Sequence, residues 1–146
     1  MSDWHTAPVA ADDFEALLAL RIAAMQPSLS AIGRFDPQRA RDRLAASFAP
    51  QHSRWIVLHG ERIGWYALHT AADHLYLHHL YLAPAHSGHG IGSALLRQLQ
   101  QQAAAQGLAL RLGALKHSAA NLFYQRHGFV LLQADDWDNH YQWSAP

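Results

Sequence analysis

The stretch LAPAHSGHGIGSALLRQL, residues 82–99, decides the fold. It follows a run of strand-forming residues, DHLYLHHLYL at 73–82, which stops at Pro84. Glycines then alternate with other residues at Gly88, Gly90 and Gly92, and an apolar helical repeat begins at once. The first amides of a helix lack intrahelical partners and carry roughly half a positive charge. Glycines just before them let an anion approach the backbone with no Cβ in the way. Strand, Gly-x-Gly-x-Gly and helix together read as a phosphate-binding turn, against the alternative of an ordinary tight strand-to-helix turn. Two familiar phosphate loops do not fit. A Walker loop needs Lys and then Ser or Thr after its last glycine, and Gly92 is followed by Ser93 and Ala94. A dinucleotide fingerprint needs G-x-G-x-x-G with an acid about 20 residues on, and no Asp or Glu lies between residues 74 and 134.

The rest of the architecture follows outward from this turn. A strand, a helix over residues 90–106 and the buried strand GLALRLGALK (107–116) demand a parallel pair with a right-handed crossover. Upstream, RWIVLHGERIGWYALHT (54–70) is two strands around a His-Gly-Glu turn. With 73–82 they form an antiparallel meander. Before them, DWHTAPVAADDFEALLALRIAAM (3–25) is a short strand and then a helix capped by Asp12 or Asp13. Phe14, Leu17, Leu18, Arg21, Ile22 and Met25 recur there at helical spacing, and Pro27 is expected to end the helix. FDPQRARDRLAASF (35–48) is a second helix, with Asp36 at its N-cap and Pro37 in first position. Downstream, SAANLFYQRHG (118–128) is a short helix capped by Ser118 and stopped by Gly128, and FVLLQ (129–133) and DNHYQW (138–143) are two last strands. The order β-α-α-β-β-β-α-β-α-β-β gives an α/β (α+β) chain with a mixed, mainly antiparallel sheet flanked by helices, expected to be one domain over residues 1–146.

Half of the 146 residues are hydrophobic and the formal net charge is zero. That excludes general disorder and gives no bulk electrostatic attraction to nucleic acid or an anionic membrane. No apolar run reaches the ~18 residues of a membrane span and no signal-peptide pattern opens the chain, so a cytoplasmic location is expected. The absence of cysteine removes disulfides, thiolate nucleophiles and cysteine-ligated metals. Charge is unevenly placed: residues 74–134 hold Arg97, Arg111, Lys116 and Arg126 with no acid, four positive charges around the glycine turn. Such a segment suits a polyanion. Twelve histidines invite a metal hypothesis, but His74 and His78 lie on a strand with no nearby carboxylate to complete a set, so no metal site is expected.

PAHSGHGIGSALL (84–96) resembles the acyl-CoA loop of the GNAT superfamily of N-acetyltransferases, written [RQ]-x-x-G-x-[GA], with Ser87, Gly90 and Gly92 on the pattern. SAANLFYQRHGF (118–129) is similar to that superfamily's helix ending in Phe-Tyr-x-x-x-Gly-Phe. The element order fits as well, so the resemblance covers nearly the whole chain. It implies acetyl-CoA as cofactor and acetyl transfer to a primary amine by direct attack in a ternary complex. It implies cofactor contacts from Ser87, Gly88, His89, Gly90, Ile91, Gly92 and Ser93, and main-chain contacts where the strand splays near Leu80 and Leu82. Asn121 is expected either to bond the pantetheine or to lie exposed. Two positions depart from the pattern: Ser87 stands where Arg or Gln is usual, and His117 stands where relatives often carry asparagine. His86 and His89 flank the first departure and could donate to phosphate in its place.

Transfer from a thioester to an amine requires that the amine lose its proton, that the developing oxyanion meet donors and that the departing thiolate meet an acid. The resemblance points Tyr124 at the thioester sulfur, and a phenol with a pKa near ~10 keeps its proton at neutral pH. The alternative is a core aromatic, as Phe123 is expected to be. A base on residues 74–82 must be histidine, because no carboxylate follows Asp73 there. His78 matches the position of histidine bases in the family; His79 and an ordered water chain are the alternatives. On a regular strand the two histidines face opposite sides, and a bulge would change that. Trp55, Trp65, Trp137 and Trp143 are expected to pack on strands, with Trp65 or Tyr66 as the alternative wall of an apolar substrate pocket. The acceptor, a small-molecule or peptide amine, is left open, and homodimers are common among resembling proteins. A non-catalytic acyl-CoA sensor on the same scaffold and an acyltransferase acting on a hydroxyl are the rival readings.

Overall fold

The computed structural model describes residues 3–146. Along the chain come β1 (Trp4–Pro8), α1 (Phe14–Ala31), α2 (Pro37–Ser47), β2 (Ser53–Leu58), β3 (Glu61–Thr70) and β4 (His74–Leu82), then α3 (Ile91–Ala105), β5 (Ala109–Leu115), α4 (Ala120–Arg126), β6 (Val130–Ala134) and β7 (Asp138–Trp143). Among the described residues the strands form one seven-stranded sheet in the order β1-β2-β3-β4-β5-β7-β6. β4 and β5 pair in parallel from His74–Ala109 to Leu77–Leu112, with α3 as the crossover. The β1/β2, β2/β3, β5/β7 and β6/β7 pairs are antiparallel. The mixed, mainly antiparallel architecture and the element order are those read from the sequence. No helix among the described residues is long and apolar enough to cross a membrane.

The chain contacts divide into two compact units, one holding Met1–Ala67 and His79–Ile91, the other Leu68–His78 and Gly92–Pro146. In the first, alternate residues of β2 and β3 (Trp55, Val57, Trp65, Ala67) bury against Leu17 and Leu18 of α1 and Ala40 and Leu44 of α2. The β2–β3 turn places His59 at φ 51° and Gly60 at φ 80°, the left-handed pair whose twist matches the flanking strands. Asp36 caps α2 as expected, accepting from the amides of Gln38 (2.9 Å) and Arg39 (3.3 Å). Asp13 stands at the N-cap of α1 but turns its carboxylate to the Ala10 amide (2.8 Å), the Trp55 indole (3.0 Å) and Arg62 (3.3 Å). Those bonds, the Ala10 amide first, hold its pKa below the usual carboxylate range.

One helix boundary is corrected: α1 does not stop at Pro27 but runs on to Ala31. A proline removes its own amide bond and crowds the carbonyl four residues back. The residues beyond it keep their bonds, and the helix closes where Arg34 and Gly33 donate to Leu29 (2.8 Å) and Ser30 (3.1 Å).

In the second unit Leu75 and Leu77 pair with Leu110 and Leu112, and Tyr141 lies opposite Leu112; all five are buried. On α3, Leu95, Leu96, Leu99 and Ala103 form the buried stripe. α3 is tied to the end of α4 by two bonds: Ser93 Oγ lies 2.9 Å from His127 Nε2, and Gln100 donates to the His127 carbonyl at 2.8 Å. α4 begins without a side-chain cap; the Ser118 hydroxyl, expected to cap it, donates to the Leu115 carbonyl at 2.8 Å, one turn upstream. Trp137 is not a strand residue: it precedes β7 and is 48% exposed.

Candidate functional site

The glycine turn is built in steps. Pro84–His86 forms a single 3-10 turn, which the Ser87 amide (3.4 Å) and hydroxyl (3.1 Å) close by donating to the Pro84 carbonyl. Gly88 (φ 80°) and Gly90 (φ 86°) follow in the left-handed region. A Cβ at either would meet nothing within 4 Å, so backbone conformation and not crowding calls for glycine there. Residues 87–90 are exposed, whereas Ile91 is buried and anchors the start of α3. The first turn of α3 contains Gly92 and Ser93 and no acid. Exposed amides in left-handed geometry at the start of a 15-residue helix are a fitting cradle for an anion. The side chains contribute less than expected. Ser87 folds back on Pro84, Ser93 bonds His127, and His86 Nε2 sits 3.6 Å from Glu61 Oε2. That leaves His89 as the exposed imidazole of the turn.

β4 carries both candidate bases, and its alternation breaks between them. Trp65 and His69 share one face of β3. Trp65 meets His79 (ring centroids 4.9 Å) and His69 meets His78 (5.2 Å), so the two neighbouring histidines face the same way, as in a β-bulge. The regular-strand expectation is thereby corrected. His79 is bound through both ring nitrogens, Nδ1 to the Tyr81 hydroxyl (2.9 Å) and Nε2 to Ser47 Oγ (3.1 Å). Tyr81 in turn accepts from Nε of Arg21 at 3.2 Å, and the buried Arg21 also donates to the Ala40 carbonyl at 3.3 Å. With Ser47 donating to a helical carbonyl of Arg43 (3.3 Å), Nε2–H of His79 donates to Ser47 and Nδ1 accepts from Tyr81. His78, by contrast, is exposed and stands beside Tyr76 (centroids 5.3 Å). Desolvation first, and then the nearby His69, holds its pKa below the ordinary 6.5.

The second motif is explained by its backbone. Gly128 (φ 86°) ends α4; its amide donates to Gln125 O (3.1 Å) and the Phe129 amide to Tyr124 O (3.1 Å). This is a Schellman cap, completed by the contact of the Tyr124 and Phe129 rings at 5.7 Å. Tyr-x-x-x-Gly-Phe is therefore a device that fixes the tyrosine. Tyr124 is buried, with Phe123 at 5.3 Å and Tyr141 at 6.4 Å.

Asn121 does not lie exposed; its side chain is engaged within the protein. Its amide nitrogen donates to the carbonyls of Leu115 (2.9 Å) and Ser118 (3.0 Å), and its oxygen accepts from Asn139 (2.9 Å) and Tyr141 (2.8 Å). Four bonds fill the hydrogen-bonding capacity of an amide, so the side chain holds β5, α4 and β7 together. Asn121→Ala is expected to cost about 2 kcal/mol by stranding these partners, read as a fall in the urea midpoint at an unchanged slope. His117 takes φ 68°, a left-handed position where asparagine and histidine are the more tolerated side chains. Sequence reasoning missed His127, which binds Ser93, and Gly64, inside β3. A Cβ on Gly64 would collide with the Tyr81 carbonyl and lie 2.8 Å from Leu82 Cδ2, so this glycine lets β3 approach the end of β4. A glycine in a strand interior was the available signal. Among the described residues no cluster of three or more metal-ligating side chains forms.

Residues 50–131 match the family described as the acetyltransferase (GNAT) domain. The chain belongs to this family of acetyltransferases. Solved structures agree on the fold. The PaiA N-acetyltransferase of Thermoplasma acidophilum, determined in complex with coenzyme A, superposes with a TM-score of 0.80 at 17% identity, covering 99% of this chain and 100% of that one. An acetyltransferase of Thermus thermophilus gives 0.75 at 19% identity, covering 99% and 100%. The ribosomal-protein-S18-alanine N-acetyltransferase of Escherichia coli gives 0.68 at 15% identity, covering 95% and 90%. No curated protein matches the sequence.

Proposed function

We propose that the chain, as one domain over residues 1–146, transfers an acetyl group from acetyl-CoA to a primary amine by direct attack in a ternary complex. The observation that carries this reading is the exposed turn at residues 88–90 opening α3, with Gly88 and Gly90 left-handed, in a chain of the acetyltransferase family. Bound acetyl-CoA supplies an acetyl thioester. The amides of residues 88–93 hold its diphosphate, and main-chain groups at Leu80 and Leu82 hold its arm. Because the hydroxyls of Ser87 and Ser93 are hydrogen-bonded within the protein and His86 lies 3.6 Å from Glu61, backbone donors and His89 carry most of this binding. Tyr124 keeps a proton for the departing thiolate. His78 accepts the proton of the incoming amine. Its exposure on β4 and its lowered pKa support this assignment.

Calorimetric titration with coenzyme A, followed by thiol release over a panel of amines, tests the proposal. Binding and turnover support it, binding without turnover on any amine favours a sensor, and no binding overturns both. The base assignment makes a separate prediction. A lowered pKa keeps His78 neutral, and able to take a proton, down to below 6.5. kcat/KM is therefore expected to be level near pH 7 on this limb and to fall as pH drops through an inflection below 6.5. His78→Gln should remove that inflection and lower the plateau by about 10²-fold. A profile unchanged in His78→Gln would move the base elsewhere.

A further inference from the structure

Gly113 is a glycine that its surroundings do not require. It lies inside β5 opposite His140 of β7, and its φ is not positive. A Cβ built on it would lie 3.4 Å from His140 Nδ1 and 3.6 Å from the Tyr76 hydroxyl, both ordinary contacts. Alanine fits there, and glycine within a strand is the less stable choice. Glycine inside a strand often accompanies a bulge, a bend or a close approach by a ligand or another backbone; the β5/β7 register runs without a shift, and Gly113 is exposed.

The surroundings of Gly113 are chemically specific. The parallel ladder of β4 and β5 runs to Leu77–Leu112, and one residue further along come His78 and Gly113. Tyr76 and His78 stand on the β4 side, with His69 beyond His78. On the β7 side are His140 and, two residues before it on the same face, Asp138. Asp135 Oδ2 holds His140 Nε2 at 2.9 Å and so turns Nδ1 toward Gly113. Asp138 donates its backbone amide to Asp135, but its carboxylate has no hydrogen-bond or ion-pair partner among the described residues, nor has the Tyr76 hydroxyl. Burial and the Asp138 charge both raise the Tyr76 pKa, which is consistent with the carboxylate facing the phenol.

An unpaired carboxylate, a phenol oxygen and an imidazole nitrogen around a bare floor are three acceptors, and a primary ammonium has three donors. We propose that the exposed surface over Gly113 is the acceptor subsite and takes an unbranched aliphatic primary ammonium. Asp138, Tyr76 and His140 Nδ1 receive its three N–H groups, and the alkyl stem leaves along the rings of His78 and His69. The inference takes its meaning from the proposed acetyl transfer, but the binding it asserts is measurable without it.

The test uses the full chain and pentylamine, with pentan-1-ol as the uncharged counterpart. NMR follows the Gly113 amide and the His140 ring, and coenzyme A is titrated separately by calorimetry. Pentylamine is expected to shift both signals saturably and pentan-1-ol is not. Asp138→Asn and Gly113→Ala should each weaken pentylamine binding about tenfold or more, as for one lost charge-assisted bond or a blocked floor. Gly113→Ala should also keep its melting temperature within about 2 °C of wild type or raise it. No shift at Gly113, or equal binding by both variants and the wild type, overturns the subsite. Saturable amine binding with no affinity for coenzyme A would count against the transferase reading and leave the subsite standing.

Discussion

Gly64→Ala is expected to lower stability by about 3 kcal/mol, the upper part of the usual cost of overpacking. At roughly 3 °C per kcal/mol for a chain of this size, the melting temperature should fall by about 10 °C. The cause is space alone, since the φ of Gly64 is not positive. The new methyl would collide with the Tyr81 carbonyl, lie 2.8 Å from Leu82 Cδ2 and lie 3.3 Å from Ile56 Cδ1. A side chain could rotate away, but the carbonyl cannot, because the Ala83 amide holds this end of β4 to Ile63 O at 2.7 Å. The strand must shift, and the shift falls on Tyr81–Leu82, whose main chain is proposed to hold the arm of coenzyme A. Calorimetry should therefore show a weaker Kd for coenzyme A in the protein that remains folded. Gly113→Ala is the matched control, a strand-interior glycine where the same methyl finds ordinary contacts. Equal melting temperatures for wild type and Gly64→Ala would show that β3 and β4 do not approach as closely as described.

That contrast shows what the sequence can and cannot disclose. Element order was legible because every boundary carries its own local chemistry, such as Asp36-Pro37 at one helix start or His59-Gly60 in a hairpin. The glycine turn was legible for the same reason, since left-handed residues before a helix are a property of a few neighbours in the chain. Pro27 misled because one missing amide bond is a local cost that tertiary packing of α1 outweighs. Ser118 misled because α4 starts one residue later than expected, with Ala119 at the N-cap, and the Ser118 hydroxyl donates back to Leu115 O instead of accepting from a helix amide. The rest was hidden in long-range pairings. Four partners from β5, β7 and the loop before α4 saturate Asn121, and nothing at its own position says so. The break in alternation at His78 and His79 shows only when β3 is laid beside them, and His86 is drawn off the turn by Glu61, a residue of another strand. Gly64 and Gly113 look alike as letters and differ only in what lies opposite.

Tyr124→Phe is expected to lower kcat by 10²-fold or more while leaving the Kd for coenzyme A within about twofold, the pattern of a lost general acid. The structure makes this substitution a clean one. The ring that Phe123, Phe129 and Tyr141 surround at 5.3, 5.7 and 6.4 Å is kept. The bonds that close the cap at Gly128 are made by backbone atoms and are indifferent to the hydroxyl. Ring packing and the cap thus persist, and the change falls on the hydroxyl proposed as the proton donor. The melting temperature should move by no more than about 3 °C, within the usual effect of a single hydroxyl. A thiolate leaving without an acid depends more strongly on the acidity of its own thiol. The variant should therefore lose less on an acetyl donor with a more acidic thiol than on acetyl-CoA, and that rescue is a readout a packing role would not produce. Unchanged kcat with a lowered melting temperature would return Tyr124 to the core, and would leave the Schellman cap as the whole physical reason for the Phe-Tyr-x-x-x-Gly-Phe pattern.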